Sequence, residues 1–323
     1  MKLKAGIIGG AGYTAGELIR LLINHPEVEI SFVHSTSNTG KRINDVHEGL
    51  TGETDLVFSD TFPLDTVDAL FLCSAHGDSQ KFIESHSLPS FLKIIDLSMD
   101  FRHKDSSDGF VYGLPELNKS SIQTASRIAN PGCFATAVQL ALLPLAANGL
   151  LKDEIHVNAI TGSTGAGVKP AVTTHFSWRT DNISIYKPFE HQHLQEIKES
   201  LLQLQPEWST PIHFIPVRGN FARGIFACTY TSCDLSQEEI KELYSDFYRD
   251  AAFTFVTDKN PDLKQATNTN KCILYTEKHG NRLLIISLID NLLKGASGQA
   301  VQNFNLMFGF DEKSGLRLKS NGF

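Results

Sequence analysis

The 323-residue chain has no uninterrupted apolar run approaching the roughly 18 residues that span a membrane. It has no excess of positive charge either: 36 Asp and Glu outnumber 29 Lys and Arg, and the net charge of −7 argues against a general nucleic-acid or anionic-membrane surface. Cysteine is sparse. Cys73, Cys133, Cys228, Cys233 and Cys272 are an odd number, widely scattered and without a CxxC pair, so neither a disulfide framework nor a metal site is expected. Internal repeats and low-complexity segments are missing, and the N-terminal MKLKAGIIGG runs straight into a glycine-rich turn, leaving no room for a signal peptide. These absences predict a cytoplasmic globular protein whose partner is a small molecule.

What is there divides into two patterns. A chain of this length exceeds one ordinary core, so two domains are expected. Residues 3–8 read as a short buried strand, followed by the turn Gly9-Gly10-Ala11-Gly12, a helix carrying Leu18, Ile19, Leu21, Leu22 and Ile23, and a second strand at 28–34. Apolar runs at 69–73 and 93–97, with a helix near 79–85 between them, continue the alternation and predict a parallel, doubly wound, Rossmann-type sheet. After an apolar helix at 133–147, the runs 155–161, 212–217, 224–233 and 283–290 read as longer strands of a mostly antiparallel sheet. The fold class expected is α/β with a second, α+β domain. The borders are set at residues 1–147 for dinucleotide binding, joined by a C-terminal helix within 298–323, and 148–297 for the α+β domain.

Glycines after a first strand let the backbone approach a pyrophosphate, and the following helix offers free N–H groups and a positive dipole end. The spacing Gly9-x-x-Gly12-x-x-x-Gly16 departs from the standard dinucleotide fingerprint but stands at the start of a βαβ unit. The second strand ends in His34-Ser35-Thr36-Ser37-Asn38, then Lys41-Arg42, with no acid to take a ribose 2′-hydroxyl. Hydroxyls and a nearby cation suit a 2′-phosphate, so NADP is the expected cofactor.

In Ala129-Asn130-Pro131-Gly132-Cys133 the thiol stands where a turn becomes a helix, and a helix N-terminus favours thiolate. Cys133 is therefore the candidate nucleophile, while Cys73, Cys228, Cys233 and Cys272 suit strand or core positions. A proton acceptor is available in His191-Gln192-His193-Leu194-Gln195-Glu196. Two residues apart, His191 and His193 would point in different directions on a helix, whereas Glu196 would share a face with His193.

GGAGYTAGEL (9–18), SAHG (74–77), DLSMDFR (96–102), YGLPE (112–116), NPGCFATA (130–137), GSTGAGVKP (162–170), HQHLQEI (191–197), RGIFA (223–227) and DNLLKGASGQAVQNFNLMFG (290–309) occur in this order over nearly the whole chain. Together they make the sequence resemble the N-acetyl-γ-glutamyl-phosphate reductases of arginine biosynthesis. The resemblance implies NADPH-dependent reduction of an N-acyl-γ-glutamyl phosphate to the semialdehyde, through a thioester on Cys133, by chemistry similar to that of aspartate-semialdehyde dehydrogenases. It implies that 148–297 is the catalytic and dimerisation domain, with His193 as acid/base and Glu196 as the residue supporting it. Gly9, Gly10, Ala11, Gly12, Tyr13, Thr14, Ser35, Ser37, Ala75, His76, Ser163, Gly165, Asn291, Lys294 and Gly295 would then hold the cofactor. Arg102 and Lys169 are candidates for the substrate's phosphate or carboxylate, and a homodimer or homotetramer is expected.

Two features depart from the family pattern. Gln192 and Gln195 stand where the family has Arg and Pro, and residues 173–190 look shortened, so the acyl group, N-acetyl or N-succinyl, stays open. An aspartate-semialdehyde dehydrogenase and a non-catalytic NADP-binding redox sensor are the other readings; YGLPE, HQHLQEI and the ending disfavour the first, the cysteine with its histidine the second.

With no acid at the end of the second strand, the enzyme should prefer NADPH to NADH clearly. Asp introduced at Ser35 or Ser37 should reduce that preference by repelling a 2′-phosphate. Comparison of kcat/KM for the two cofactors checks this, and equal values in the wild type would contradict it.

Overall fold

Ala5, Ile7 and Ile8 are buried in a strand with no polar face to turn to water, as expected of the middle of a parallel sheet covered on both sides. The computed structural model describes residues 2–322. In it the strands β1 (Leu3–Ile8), β2 (Val28–His34), β3 (Phe58–Ser59), β4 (Ala69–Leu72), β5 (Lys93–Asp96), β6 (Val111–Tyr112) and β7 (Arg127–Ala129) form one sheet of order β3-β2-β1-β4-β5-β7-β6. Every pairing is parallel. The strand order reverses direction between β1 and β4, and the crevice at the carboxyl ends of such strands is where open α/β sheets bind ligands. Helices α1 (Tyr13–Leu22), α2 (Asp78–Ser85) and α3 (Pro115–Thr124) belong to this unit.

The second sheet contains β8 (Ile155–Thr161), β9 (Ser184–Ile185), β10 (Ile212–Arg218), β11 (Ile225–Ser232), β12 (Thr254–Val256), β13 (Cys272–His279) and β14 (Arg282–Ile289), in the order β12-β13-β14-β11-β8-β10-β9. The β8–β10 and β12–β13 pairings are parallel and the others antiparallel. With it go α4 (Cys133–Ala147), α5 (Phe176–Arg179), α6 (His193–Leu204) and α7 (Gln237–Phe247). The last helix, α8 (Gly298–Phe308), packs on α1, α3 and β5 of the parallel sheet's unit, as its apolar pattern suggested.

The chain thus forms two units, Met1–Pro131 with Ala296–Arg317, and Gly132–Gly295 with Leu318–Phe323. The sequence reading drew its border at residue 147, after α4; here the second unit already begins at Gly132. The reason is the composition of α4. It is apolar around its whole circumference, every residue from Phe134 to Ala146 is buried, and its partners are α6, β11 and β14 of the second unit. The chain's end also differs from the sequence reading: Asn268 Nδ2 donates to Lys319 O at 3.0 Å and Asn321 N to Thr267 O at 3.3 Å, both within the second unit. Strand β13 and helix α7 went unread in the sequence, although α7 carries a capping box in which Ser236 and Glu239 satisfy each other's backbone N–H groups. Among the described residues no helix is long and apolar enough to cross a membrane.

Candidate active site

Cys133 is the first residue of α4, and its first turn carries no acidic side chain to oppose a thiolate at the positive end of the helix dipole. The amide of Gly132, immediately before it, donates to Glu196 Oε2 at 2.9 Å. Glu196 lies in the first turn of α6 and is only 2% exposed, so this charge-assisted bond and the α6 dipole offset much of the cost of burying a carboxylate. Its other oxygen, Oε1, lies 3.8 Å from His193 Nε2. Gln139, the one amide in the apolar α4, donates to Glu196 O at 3.0 Å and Ser200 Oγ at 2.9 Å, which holds α6 against α4.

The helix α6 begins at His193 with Gln192 as its N-cap, so His191 lies outside it. The two imidazoles therefore do not diverge as they would within a helix: their centroids are 4.6 Å apart, and His191 Nδ1 accepts from the His193 N–H at 3.2 Å. Burial first, then the charge of Lys187, push the His191 pKa down to about 4 against the opposing pull of Glu196. His191 is therefore neutral at neutral pH.

The loop after β14 is pinned by Asp290, fully buried, whose two carboxylate oxygens accept from Arg223 Nε and Nη2 at 3.1 Å each. Asn291 joins two further loops: its Oδ1 accepts from Gly224 N at 2.7 Å and its Nδ2 donates to Thr164 Oγ1 at 3.0 Å, beside Ser163 and Gly165. Lys294 is buried within the wide helical turn Leu293–Ser297. A Cβ on Gly295 would lie 2.7 Å from Cys133 Cβ, so glycine lets this loop lie directly against the thiol residue.

Within the first unit, Gly9 has φ of 78°, and a Cβ there would lie 2.8–2.9 Å from the backbone of Cys73 and Ser74, the start of the loop that continues to Ala75 and His76. His76 Nδ1 accepts from Met99 N at 3.1 Å. Gly10 is held on both sides, its N–H donating to His34 O at 2.9 Å while its carbonyl lies 2.7 Å from His47 Nε2. Gly12 caps α1 without any side-chain bond, and the first turn, with Tyr13 and Thr14, has no acid; its N–H groups are left to an anion. After β2, Asn38 Nδ2 donates to Ser35 Oγ and Ser37 Oγ at 3.2 Å each, and Lys41 Nζ to Asn38 Oδ1 at 3.2 Å. This hydroxyl cluster with an ammonium beside it fits a ribose 2′-phosphate.

Arg102 is buried in the first unit, donating to Leu97 O at 2.9 Å, and its charge only partly opposes the burial that pushes the Asp96 carboxyl pKa up, while Lys169 is exposed in the second. Sequence reasoning passed over Tyr186 and Arg218. The Arg218 guanidinium lies 4.6 Å from the Tyr186 ring centroid and hydrogen-bonds its hydroxyl, and burial and then the nearby Cys133 push the Tyr186 pKa above its usual value. Tyr186 falls in the 173–190 segment that the sequence marked as irregular; Arg218 reads as an ordinary polar strand end and carries no such signal.

Because folded His191 holds its proton only near pH 4 and unfolded imidazole holds it to about 6.5, protons bind preferentially to the unfolded chain between those values. Its contribution to stability is complete above about 6.5 and lost as pH falls towards 4. Urea midpoints measured across that window should fall more steeply for the wild type than for His191→Asn; parallel curves would contradict this.

Residues 4–125 match the NAD-binding domain of semialdehyde dehydrogenases and residues 133–291 their dimerisation domain. Over 321 residues, 99% of this chain and 100% of the relatives, it is 67% identical to an N-acetyl-gamma-glutamyl-phosphate reductase from Azobacteroides pseudotrichonymphae and 63% identical to one from Parabacteroides distasonis. Among solved structures, aspartate semialdehyde dehydrogenase II from Vibrio cholerae, complexed with ASA, superposes with a TM-score of 0.74 at 16% identity, covering 96% of this chain and 99% of that one. The Francisella tularensis enzyme gives 0.71 at 16%, covering 95% and 100%. At such identity these two speak for the fold alone. The chain belongs to the N-acetyl-γ-glutamyl-phosphate reductase family, built on the semialdehyde dehydrogenase fold.

Proposed function

We propose that this chain reduces an N-acyl-γ-glutamyl phosphate to the N-acyl-glutamate semialdehyde with NADPH, in arginine biosynthesis, through a thioester on Cys133. The observation that carries the reading is Glu196, whose carboxylate accepts the Gly132 N–H on one side and faces His193 on the other. An acid that serves the nucleophile's turn and the imidazole together suits acyl transfer. A binding-only redox sensor has no use for it.

His193 takes the thiol proton as Cys133 Sγ attacks the acyl carbon, a C–S bond forms, and the C–O bond to phosphate breaks. Free N–H groups in the first turn of α4 stabilise the charge developing on the carbonyl oxygen. The nicotinamide, when bound, supplies the hydride that turns the thioester into a thiohemiacetal. His193 protonates that oxygen, and as the C–S bond breaks it takes the proton back, freeing the semialdehyde and the thiolate. Gly9, Gly10, Gly12 and the Ser35–Ser37 cluster would hold the dinucleotide in the first unit. In the second, Ser163, Gly165, Asn291, Lys294 and Gly295 are the proposed contacts.

The same reading makes the protein a homodimer or homotetramer. The second unit matches a dimerisation domain and exposes Val172, Phe176, Ile183, Ile185 and Phe189, more apolar surface than a monomer ordinarily leaves in one stretch. Five free cysteines and NADPH chemistry suit the cytoplasm.

Cys133→Ser should keep NADPH binding and lose about a thousandfold or more in rate, since an unactivated hydroxyl poorly replaces a thiolate. His193→Asn should depress kcat strongly and flatten one limb of the pH–rate profile, while His191→Asn alters mainly affinity or stability. Turnover of N-acetyl-γ-glutamyl phosphate, read as loss of NADPH absorbance, checks all three; near-normal rates in Cys133→Ser would overturn the reading.

A further inference from the structure

Arg179 ends the short helix α5 and is only 7% exposed. One nitrogen, Nη2, donates to Asn182 O at 2.6 Å; Nε and Nη1 are buried and have no hydrogen-bond partner. Buried guanidinium donors are ordinarily satisfied, because the water they lose must be replaced. The neighbouring charge makes the position less favourable still, for it is that of Arg218, and burial together with this like charge lowers the Arg179 pKa. Arg218 in turn donates through Nη1 to Thr173 Oγ1 at 2.6 Å, and neither arginine is ion-paired to a carboxylate among the described residues. Two cations thus stand close together with donors to spare and no anion between them.

The surrounding chain is built to keep them there. Asp181, Lys187 and Phe189 hold φ of 51°, 45° and 64°, a left-handed backbone that persists in non-glycine residues only where the surroundings impose it. Asn220, two residues after Arg218, ties the loop to Arg179: with its amide oriented to suit both neighbours, Nδ2 donates to Arg179 O and Oδ1 accepts from Asp181 N, at 3.1 Å each.

We propose that Arg179 and Arg218 form a carboxylate-binding subsite that recognises the substrate's end remote from the reacting carbon. The inference rests on the reading of this chain as an acyl-phosphate reductase. Tyr186 links the arginines to the histidine pair. Its hydroxyl bonds Arg218, and its ring stands edge-on to His191 with centroids 5.8 Å apart, His191 in turn lying 4.6 Å from His193. The phosphate leaves from the carbon that Sγ attacks, at the reacting end of the substrate. The anion at the arginines is therefore a carboxylate, either the α-carboxylate of the glutamyl moiety or the terminal carboxylate of a dicarboxylic N-acyl group.

The test runs the enzyme in the aldehyde-oxidising direction, with NADP and phosphate. Three semialdehydes are compared: the N-acetyl compound, its α-amide and the N-succinyl compound. Arg179→Met and Arg218→Met should raise KM for the preferred acid by roughly 10- to 100-fold, as loss of hydrogen bonds to a charged group does, with kcat much less affected. Arg179→Lys should recover part of the loss. If the α-carboxylate is the ligand, the wild type's preference for the N-acetyl acid over its amide collapses in the variants; if the acyl carboxylate is, the preference for N-succinyl over N-acetyl does. Unchanged KM values with both preferences intact in a folded variant overturn the subsite. Arg218, less buried, serves if Arg179→Met does not fold. Should the wild type oxidise none of the three, the activity reading fails on its own, and calorimetric titration with N-acetylglutamate and N-succinylglutamate still decides the subsite: binding lost in Arg218→Met sustains it, equal binding overturns it.

Discussion

The hydrogen bond from the Gly132 amide to the buried Glu196 carboxylate is the constraint on which the rest of the second unit's site depends. A carboxylate so deep is tolerable only with compensation around it, and the Gly132 N–H and the positive end of the α6 dipole supply it. Satisfying Glu196 therefore fixes the start of α6 against the start of α4. That placement brings His193 to 3.8 Å from the carboxylate and sets Cys133 one residue from the amide that the carboxylate holds. One buried charge thus orders the histidine and the thiol residue that the proposed chemistry uses.

The same bond explains where the units divide. Because α4 is tied through Glu196 and Gln139 to α6, it belongs with the second sheet, and a reading that followed the βα alternation as far as the helix's end drew the border too late. Much else was legible. Strands β1 and β2 and helix α4 lie where apolar runs and turn residues put them, since those signals are local. What stayed hidden is non-local. The pairing of His191 with His193 depends on α6 starting at the second histidine, and only the fold sets Arg218 over Tyr186. Gln139 was the missed clue: a lone amide in a helix otherwise built from apolar residues marks a polar partner in the core.

Two clusters of the second unit differ in how their buried polar groups are met. At Cys133 the Gly132 amide and the Glu196 carboxylate are each other's partners, and glycine at 295 keeps the approach tight. At Arg179 the donors are left over and the neighbour is of like charge. Under the proposed function, the first cluster positions the chemistry and the leftover donors of Arg179 await a ligand.

The central claim is the covalent step at Cys133. Its most direct test mixes the enzyme with the N-acyl semialdehyde and NADP in the absence of phosphate, followed by mass analysis of the peptide containing Cys133. The account predicts a burst of about one NADPH per chain and an acyl mass on Cys133, discharged when phosphate is added. An enzyme that turns over fully with phosphate, yet shows neither burst nor acyl-cysteine without it, would contradict the account.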